Sequence, residues 1–280
     1  MVRDDLGKRM KEFYEQVPKA RLMRRVPVAI RIDGKAFHTF TRHLKKPFDM
    51  VLVESMQDTM LYLCNNIQGC VLGYTQSDEI TLILCDYQTL TTSAWFDYEI
   101  QKMCSVAASM ATLAFNQAFD RHVDDVLNEI CLNGDTEDSE IEYVNALLKA
   151  KDIGAMFDAR VFNIPREEVT NLVYWRQLDA MRNSIEMVGH ANFSPSQLHK
   201  KSCDDIVAML KDIGIEYDEQ FATYLKRGSC AVKRLMETGN VNSTLMPTPN
   251  ARKKWMLDKE IPVFKDENRE YIEKEIRFDD

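Results

Sequence analysis

Short apolar runs alternate with longer segments of helical periodicity through the first two thirds of the chain. Residues 26–32 (VPVAIRI) are rich in β-branched side chains and lead into Asp33 and Gly34, a pattern typical of a strand that ends in a turn. In residues 50–67, apolar side chains recur every three or four positions, which predicts an amphipathic helix. The pattern therefore begins with a strand followed by a helix.

A hairpin is predicted next. The apolar runs at residues 70–74 (CVLGY) and 80–84 (ITLIL) flank the polar segment 75–79 (TQSDE). Two short apolar runs joined by a few polar residues are typical of antiparallel strands connected by a turn.

The remaining elements complete the order β-α-β-β-α-β. Helical spacing returns at residues 100–119, and residues 157–164 alternate like a strand before Pro165 begins a further helix. Residues 120–152 contain ten Asp or Glu side chains and are interpreted as a surface insertion. This order predicts an α+β fold, the split βαβ sandwich, in which two helices cover one face of a four-stranded antiparallel sheet.

These elements divide the chain into four expected segments. They are an N-terminal segment (1–25), a core (26–190) with the acidic insertion near 120–152, a helical appendage (191–236) and an irregular C-terminal tail (237–280). Trp255 suggests that the tail packs against the rest of the protein.

Composition and charge narrow the classes of function. A formal net charge of −8 argues against nucleic-acid binding through the field of the whole protein, so any nucleic-acid surface has to be local. No apolar run approaches the roughly 20 residues that a membrane helix needs. The charged residues 1–11 do not follow the pattern of a signal peptide, which predicts a cytoplasmic protein.

Two aspartates are the first candidates for chemistry. In the predicted sheet, the end of the first strand and the tip of the hairpin are close enough for Asp33 and Asp78 to converge. Mg²⁺ takes one or two carboxylates together with phosphate oxygens and water, so the pair predicts a metal site that binds a nucleotide. Two such ions would serve a polymerase-type reaction, and Glu79 would add a third carboxylate. The alternative is that Asp33 and Asp78 are only turn residues.

The residues after Asp33 form a turn against whose backbone N–H groups a triphosphate would lie. These residues are Gly34, Lys35, Ala36, Phe37 and His38. Neither of the familiar phosphate-binding motifs, GxxxxGK[ST] and GxGxxG, is present in the sequence.

Two longer motifs resemble the histidine-tRNA guanylyltransferase family, which adds nucleotides to the 5′ end of RNA. They are RIDGKAFHTF at residues 31–40 and YTQSDEI at residues 74–80. The resemblance extends over most of residues 26–234. Further matches follow in the same order: Lys46-Pro47, FDAR at 157–160, YWRQ at 174–177 and KRG at 226–228.

The resemblance implies a polymerase palm-like core and roles for individual residues. Asp33, Asp78 and the carbonyl of Gly34 would bind Mg²⁺, and Glu79 would assist catalysis. The nucleotide would be held by residues 33–38 and by the residues Lys46, Ser77, Asp78 and Lys102. ATP and GTP or another NTP would be substrates, tRNA would be the partner, and the protein would assemble as a homotetramer. Asp158 and Arg160 are interpreted as a structural ion pair, with orientation of tRNA as the alternative.

One departure from the family pattern bears on the reaction. Eukaryotic members have a His-Ile-Asn-Asn motif after the YWRQ segment, whereas residues 178–184 read LDAMRNS here. This resembles the guanylyltransferase-like branch of bacteria and archaea and predicts template-directed repair of the 5′ end of tRNA. The alternatives are guanylate addition to histidine tRNA, nucleotide cyclisation, and a noncatalytic RNA-binding role.

Overall fold

One antiparallel sheet forms the centre of the protein. The computed structural model describes residues 4–133, 138–235 and 253–277. The strands are β1 (Val28–Gly34), β2 (Cys70–Gln76), β3 (Glu79–Leu84), β4 (Phe157–Asn163), β5 (Ser229–Leu235) and β6 (Lys253–Asp258). They lie in the order β4-β1-β3-β2-β5-β6, and every neighbouring pair is antiparallel. The predicted α+β class is confirmed.

Three long helices pack on this sheet, and shorter ones connect or flank the strands. The α-helices are α1 (Asp5–Met10), α2 (Phe37–Phe40), α3 (Met50–Asn66), α4 (Ile100–Asn133), α5 (Asp138–Ile153), α6 (Arg166–Asn192), α7 (Pro195–Leu198), α8 (Cys203–Asp212), α9 (Tyr217–Gln220), α10 (Thr223–Arg227) and α11 (Glu270–Glu273). The remaining helical turns are a π-helical one at Lys11–Glu15 and 3₁₀ turns at Trp95–Tyr98, Asp266–Arg269 and Lys274–Ile276. Within the described ranges, no helix has both the length and the apolar character required to cross a membrane.

Helices α3 and α4 cover one face of the sheet, as the β-α-β-β-α-β order predicts. Alternate residues of β1, Ile30 and Ile32, are fully buried in the same apolar cluster as Met60 of α3 and Phe115 of α4. Asp49 caps the start of helix α3, because its carboxylate accepts a hydrogen bond from the backbone N–H of Leu52 at 3.1 Å.

Helix α6 and the C-terminal segment cover the opposite face. Val173 of α6 lies in an apolar cluster with Ala29 of β1 and with Phe264. The buried Gln177 joins the two layers, because its amide donates to the carbonyl of Pro262 at 2.8 Å and accepts from the N–H of Phe264 at 2.9 Å. The C-terminal segment is therefore part of the core.

Strands β5 and β6 fall in segments expected to be helical or irregular, so the sheet is wider than the four strands predicted. Strand β5 pairs with β2, for example Gly73 with Ala231, and β6 then pairs with β5. The apolar part of β5 is only three residues long and is followed by Lys233 and Arg234, which leaves a weak local pattern. Hydrogen bonds to a distant strand determine the structure here. Trp255 of β6 packs against the core, as expected.

The acidic insertion is largely helical. Helix α4 extends to Asn133, well past the predicted end at residue 119, and α5 returns along it. Val123 and Leu147 are fully buried between the helices and the core. Apolar residues do recur at helical spacing in this segment, but they are few among the acidic residues, so the sequence pattern did not indicate the helices.

Candidate active site

Two aspartates meet where β1 ends beside the turn between β2 and β3. Asp33 lies opposite Glu79 in the β1–β3 ladder. The backbone N–H of Gly34 donates to the carbonyl oxygen of Asp78 at 3.1 Å. Ser77 makes the turn tight with a φ of 48°, and its hydroxyl donates to the Asp78 carboxylate at 3.1 Å. The structure therefore brings together the two carboxylates named from the sequence.

The electrostatics of this pair favour a bound cation. Burial raises the pKa of Asp33, and Glu79 and Asp158 raise it further, while nearby arginines offset only part of this effect. Burial also raises the pKa of Asp78, with an added contribution from Asp33. A divalent cation would stabilise both ionised forms. Two partly exposed carboxylates fit Mg²⁺, which usually keeps coordination positions for water and phosphate.

The third acidic residue, Glu79, is buried and held by two arginines. Nη2 of Arg31 lies 2.7 Å from one carboxylate oxygen, and Nε of Arg176 lies 2.7 Å from the other. Both oxygens are therefore engaged by arginines, and the catalytic role expected of Glu79 stays a prediction. Among the described residues there is no cluster of three or more His, Cys, Asp or Glu side chains suited to a metal ion.

Arg31, Arg176 and Trp175 surround Glu79 at this site, although the sequence alone indicates no role for them. The guanidinium carbon of Arg31 is 5.3 Å from the centroid of the Trp175 ring, and that of Arg176 is 4.5 Å away. Strand alternation does place Arg31 on the same face as Asp33. The contact with α6 is long-range, and no local pattern indicates it.

The turn after β1 is fixed by packing. A β-carbon on Gly34 would lie 2.2 Å from the ring of Phe37, so a larger side chain does not fit there. Ala36 takes a left-handed conformation with φ of 54°. The Phe37 ring is buried and packs against Phe115 and Phe157 at centroid distances of 5.5 and 5.2 Å. Phe37 thus anchors the turn that was predicted to contact a nucleotide.

A cleft of about 480 Å³ opens beside this turn. Its volume lies in the usual range for small-molecule sites. Two adjacent exposed lysines, Lys45 and Lys46, contribute positive charge suited to a triphosphate. Residues predicted to bind the nucleotide form much of its lining: Gly34, Ala36, Phe37, His38, Lys46, Ser77 and Asp78.

Two of the residues predicted to contact the nucleotide make hydrogen bonds within the protein. The N–H of Lys35 donates to the carbonyl of Met156 at 2.8 Å, and its side chain is exposed. Nε2 of His38 lies 3.1 Å from the hydroxyl of Thr39.

Lys102 lies away from the cleft. Its ammonium group is 4.8 Å from the ring centroid of Phe96. Helix α4 reaches the site end of the sheet at Thr112, whose hydroxyl accepts from the N–H of Phe157 at 3.2 Å. Lys102 is ten residues earlier, about 15 Å along the helix axis. Lys102 is not among the residues that line the cleft of this chain.

Asp158 and Arg160 form the expected ion pair. Nη2 of Arg160 is 3.6 Å from the carboxylate of Asp158 and 4.0 Å from that of Asp33. The pair is well exposed, so Arg160 also adds positive charge beside the aspartates.

Comparison with known proteins identifies a family of similar sequence and fold. A sequence model described as tRNAHis guanylyltransferase (Thg1) matches residues 7–165. A bacterial tRNA(His) guanylyltransferase (Thg1)-like protein in complex with ATP is 34% identical, with a TM-score of 0.77, covering 98% of this chain and 100% of that one. For the complex with GTP, the identity is 34%, the TM-score 0.73 and the coverage 97% and 99%. The tRNA(His) guanylyltransferase of Schizosaccharomyces pombe is 25% identical over 178 residues, 62% of this chain and 57% of the relative.

The fold, the aspartate pair and the cleft define a nucleotidyltransferase-like protein. The family match covers more than half of the chain, and the structural likeness extends over almost all of it. The chain belongs to the tRNAHis guanylyltransferase family, and its similarity is to the Thg1-like branch.

Proposed function

We propose that the protein adds nucleotides to the 5′ end of tRNA in the 3′-to-5′ direction and that base pairing with the opposite strand selects each nucleotide. This activity would repair truncated 5′ ends. The observation that carries the proposal is the meeting of Asp33 and Asp78 beside a cleft of nucleotide size. Family membership and the ATP and GTP bound to the Thg1-like relatives support it.

The proposed reaction has two halves. An oxygen of the RNA 5′-monophosphate attacks the α-phosphorus of ATP, pyrophosphate leaves, and an adenylylated 5′ end forms. The 3′-hydroxyl of the incoming NTP then attacks the RNA 5′-phosphorus, and AMP leaves. An RNA with a 5′-triphosphate needs only the second half, with pyrophosphate as the leaving group. Negative charge develops around phosphorus in both halves, so positive charge at the site lowers both barriers.

Side chains of the site have separate tasks in this proposal. Asp33, Asp78 and the carbonyl of Gly34 would hold Mg²⁺, with two ions proposed. When bound, Mg²⁺ supplies activation of the attacking oxygen and stabilisation of the leaving group. Lys46 binds the triphosphate in the cleft. Glu79 acts as a positioning residue, because its arginine partners fix the strand end that carries the aspartates.

Guanylate addition to histidine tRNA is the second candidate. The description of the matching family and the name of the yeast relative favour it. Segment 178–184 argues against it, because it lacks the His-Ile-Asn-Asn motif. It provides instead Asp179, whose carboxylate lies 2.9 Å from the guanidinium of Arg176.

We also propose a cytoplasmic homotetramer, as the family resemblance implies.

The test uses a tRNA that lacks its first nucleotide and carries a 5′-monophosphate. Wild type, Asp78→Asn and the control Glu129→Gln, an exposed change on α4, are incubated with Mg²⁺, ATP and all four NTPs. We expect wild type and control to add the nucleotide that pairs with the opposing base, and Asp78→Asn to lose at least about 1,000-fold in rate. Changing the opposing base should change the nucleotide added.

Other results point to the alternatives. Addition of guanylate alone, and only to full-length histidine tRNA, would establish the dedicated guanylyltransferase. A cyclic nucleotide formed from a triphosphate without RNA would indicate a cyclase. Binding of tRNA by wild type with neither product would favour a noncatalytic RNA-binding protein.

A further inference from the structure

Trp175 presents an indole ring beside the sheet face that carries the aspartates. Its side chain is 52% exposed, although tryptophan is highly buried on average. On the same helix, Val169 and Val173 are fully buried against the sheet. Packing of the helix therefore does not account for Trp175.

The ring is held in place by the network around Glu79. The guanidinium groups of Arg31 and Arg176 lie 5.3 and 4.5 Å from its centroid, and each is also within 2.7 Å of a Glu79 oxygen. Arg31 precedes Asp33 by two positions on β1, so the two side chains leave the same face about 7 Å apart. Trp175 is thus anchored one side chain away from the aspartate pair.

The nucleotide cleft does not extend to this ring. Its lining includes Met187 of α6 but not Trp175. A nucleotide held in the cleft therefore leaves the indole ring available to another part of the substrate. Arg160, 59% exposed and 4.0 Å from Asp33, adds a cation suited to a backbone phosphate on the Trp175 side of the aspartates.

We propose that Trp175 is a stacking platform for the base of the 5′-terminal nucleotide of the RNA substrate. This inference rests on the proposed function. The reacting phosphate has to lie at Asp33 and Asp78. Only one ribose separates this phosphate from the base of the same nucleotide, so the base lies close to the aspartates. Stacking on an aromatic ring accepts any base, which suits a protein that extends whatever end the template requires. The substrate class is thus an RNA end with an unpaired or terminal base.

The test measures RNA binding separately from chemistry. The probe is an acceptor-stem hairpin that lacks its first 5′ nucleotide and has 2-aminopurine as its 5′-terminal base, titrated in Mg²⁺ without NTP. We expect wild type and Trp175→Phe to bind it with similar affinity and to quench its fluorescence. Trp175→Leu and Trp175→Ala should lose the quenching and bind about 5- to 150-fold more weakly. The Kd for ATP should not change in any of them.

Leu178→Ala is the matched control, since it removes a 45% exposed apolar side chain from the same helix. It should leave RNA and ATP affinity unchanged. Unaltered binding and quenching in Trp175→Leu would overturn the inference, as would a loss of ATP affinity with RNA affinity intact. A wild type that binds and quenches without extending tRNA would contradict the proposed function and leave the stacking role standing. A wild type that does not bind the hairpin would overturn the stacking role.

Discussion

Nε of Arg176 donates to a carboxylate oxygen of Glu79 at 2.7 Å and so joins helix α6 to the first residue of β3. Glu79 directly follows Asp78 in the chain and lies opposite Asp33 in the ladder. Arg31 engages its second oxygen. A buried ion pair therefore fixes the backbone of both aspartates, while their own carboxylates stay partly exposed at the site.

The first prediction concerns this ion-pair network. Glu79→Gln keeps the shape of the side chain but leaves Arg31 and Arg176 without its counter-charge. We expect the free energy of unfolding to fall by about 3 kcal/mol, because removing one partner of a buried pair leaves uncompensated charge. Urea unfolding measures the change.

Glu216→Gln is the control for this variant. It breaks the exposed pair with Lys211, whose atoms are 3.4 Å apart, and should cost less than about 1 kcal/mol. Equal losses in the two variants would show that the burial of Glu79 has no energetic consequence.

The second prediction concerns pH and magnesium. The pKa of Asp33 and of Asp78 is raised from 3.8 in the folded protein. The stability that these two groups contribute is therefore greatest when the pH is below their pKa in the unfolded protein. It is lost as the pH rises through their raised pKa in the folded protein. Without metal, wild type should lose stability relative to Asp78→Asn as pH rises above the ordinary carboxyl pKa of 3.8.

Saturating Mg²⁺ should reverse this loss in wild type, because the ion binds the ionised pair in the folded state only. Asp78→Asn should gain much less from Mg²⁺. Urea unfolding with EDTA and with Mg²⁺ at several pH values measures both effects. If the difference in unfolding free energy between wild type and Asp78→Asn did not vary with pH or with Mg²⁺, the proposed repulsion between the two carboxylates would be contradicted.

Local patterns in the sequence were sufficient for the central elements of the fold. The runs around residues 30 and 72 and the helix that begins at Met50 have strong apolar periods, and the structure places them as expected. Strands β5 and β6 were missed because pairing with a distant strand, rather than their own composition, determines them.

The candidate site likewise has features that local sequence patterns predict and others that depend on long-range packing. Asp33 and Asp78 could be named because strand ends and hairpin tips are recognisable in the sequence. The engagement of Glu79 depends on Arg176, which reaches it from a helix about a hundred residues later in the chain. Such a contact requires the packing of α6 on the sheet. The distance of Lys102 from the cleft depends in the same way on how α4 packs against the sheet.

The third prediction tests the turn that forms one wall of the cleft. Gly34→Ala places a β-carbon 2.2 Å from the Phe37 ring, which is packed in the core and cannot move freely. We expect a loss of about 1–3 kcal/mol in unfolding free energy from overpacking, together with weaker ATP binding. Calorimetry and urea unfolding measure the two effects.

Gly214→Ala provides the comparison, because its φ is 83° and no atom lies within 4 Å of the added carbon. It should cost about 1–2 kcal/mol through backbone strain and leave ATP affinity unchanged. If Gly34→Ala bound ATP as tightly as wild type, the turn would not form part of the nucleotide site.

The fourth prediction separates two lysines that the sequence assigned to the same triphosphate. Lys46 lines the cleft, whereas Lys102 lies beside Phe96. Lys46→Ala should weaken ATP binding about 10- to 100-fold, the effect of losing a charge-assisted hydrogen bond of about 1.5–3 kcal/mol. Lys102→Ala should change ATP affinity less than about threefold. Titration calorimetry with ATP and Mg²⁺ decides the matter: equal losses in the two variants would mean that the triphosphate lies nearer to α4 than the cleft allows.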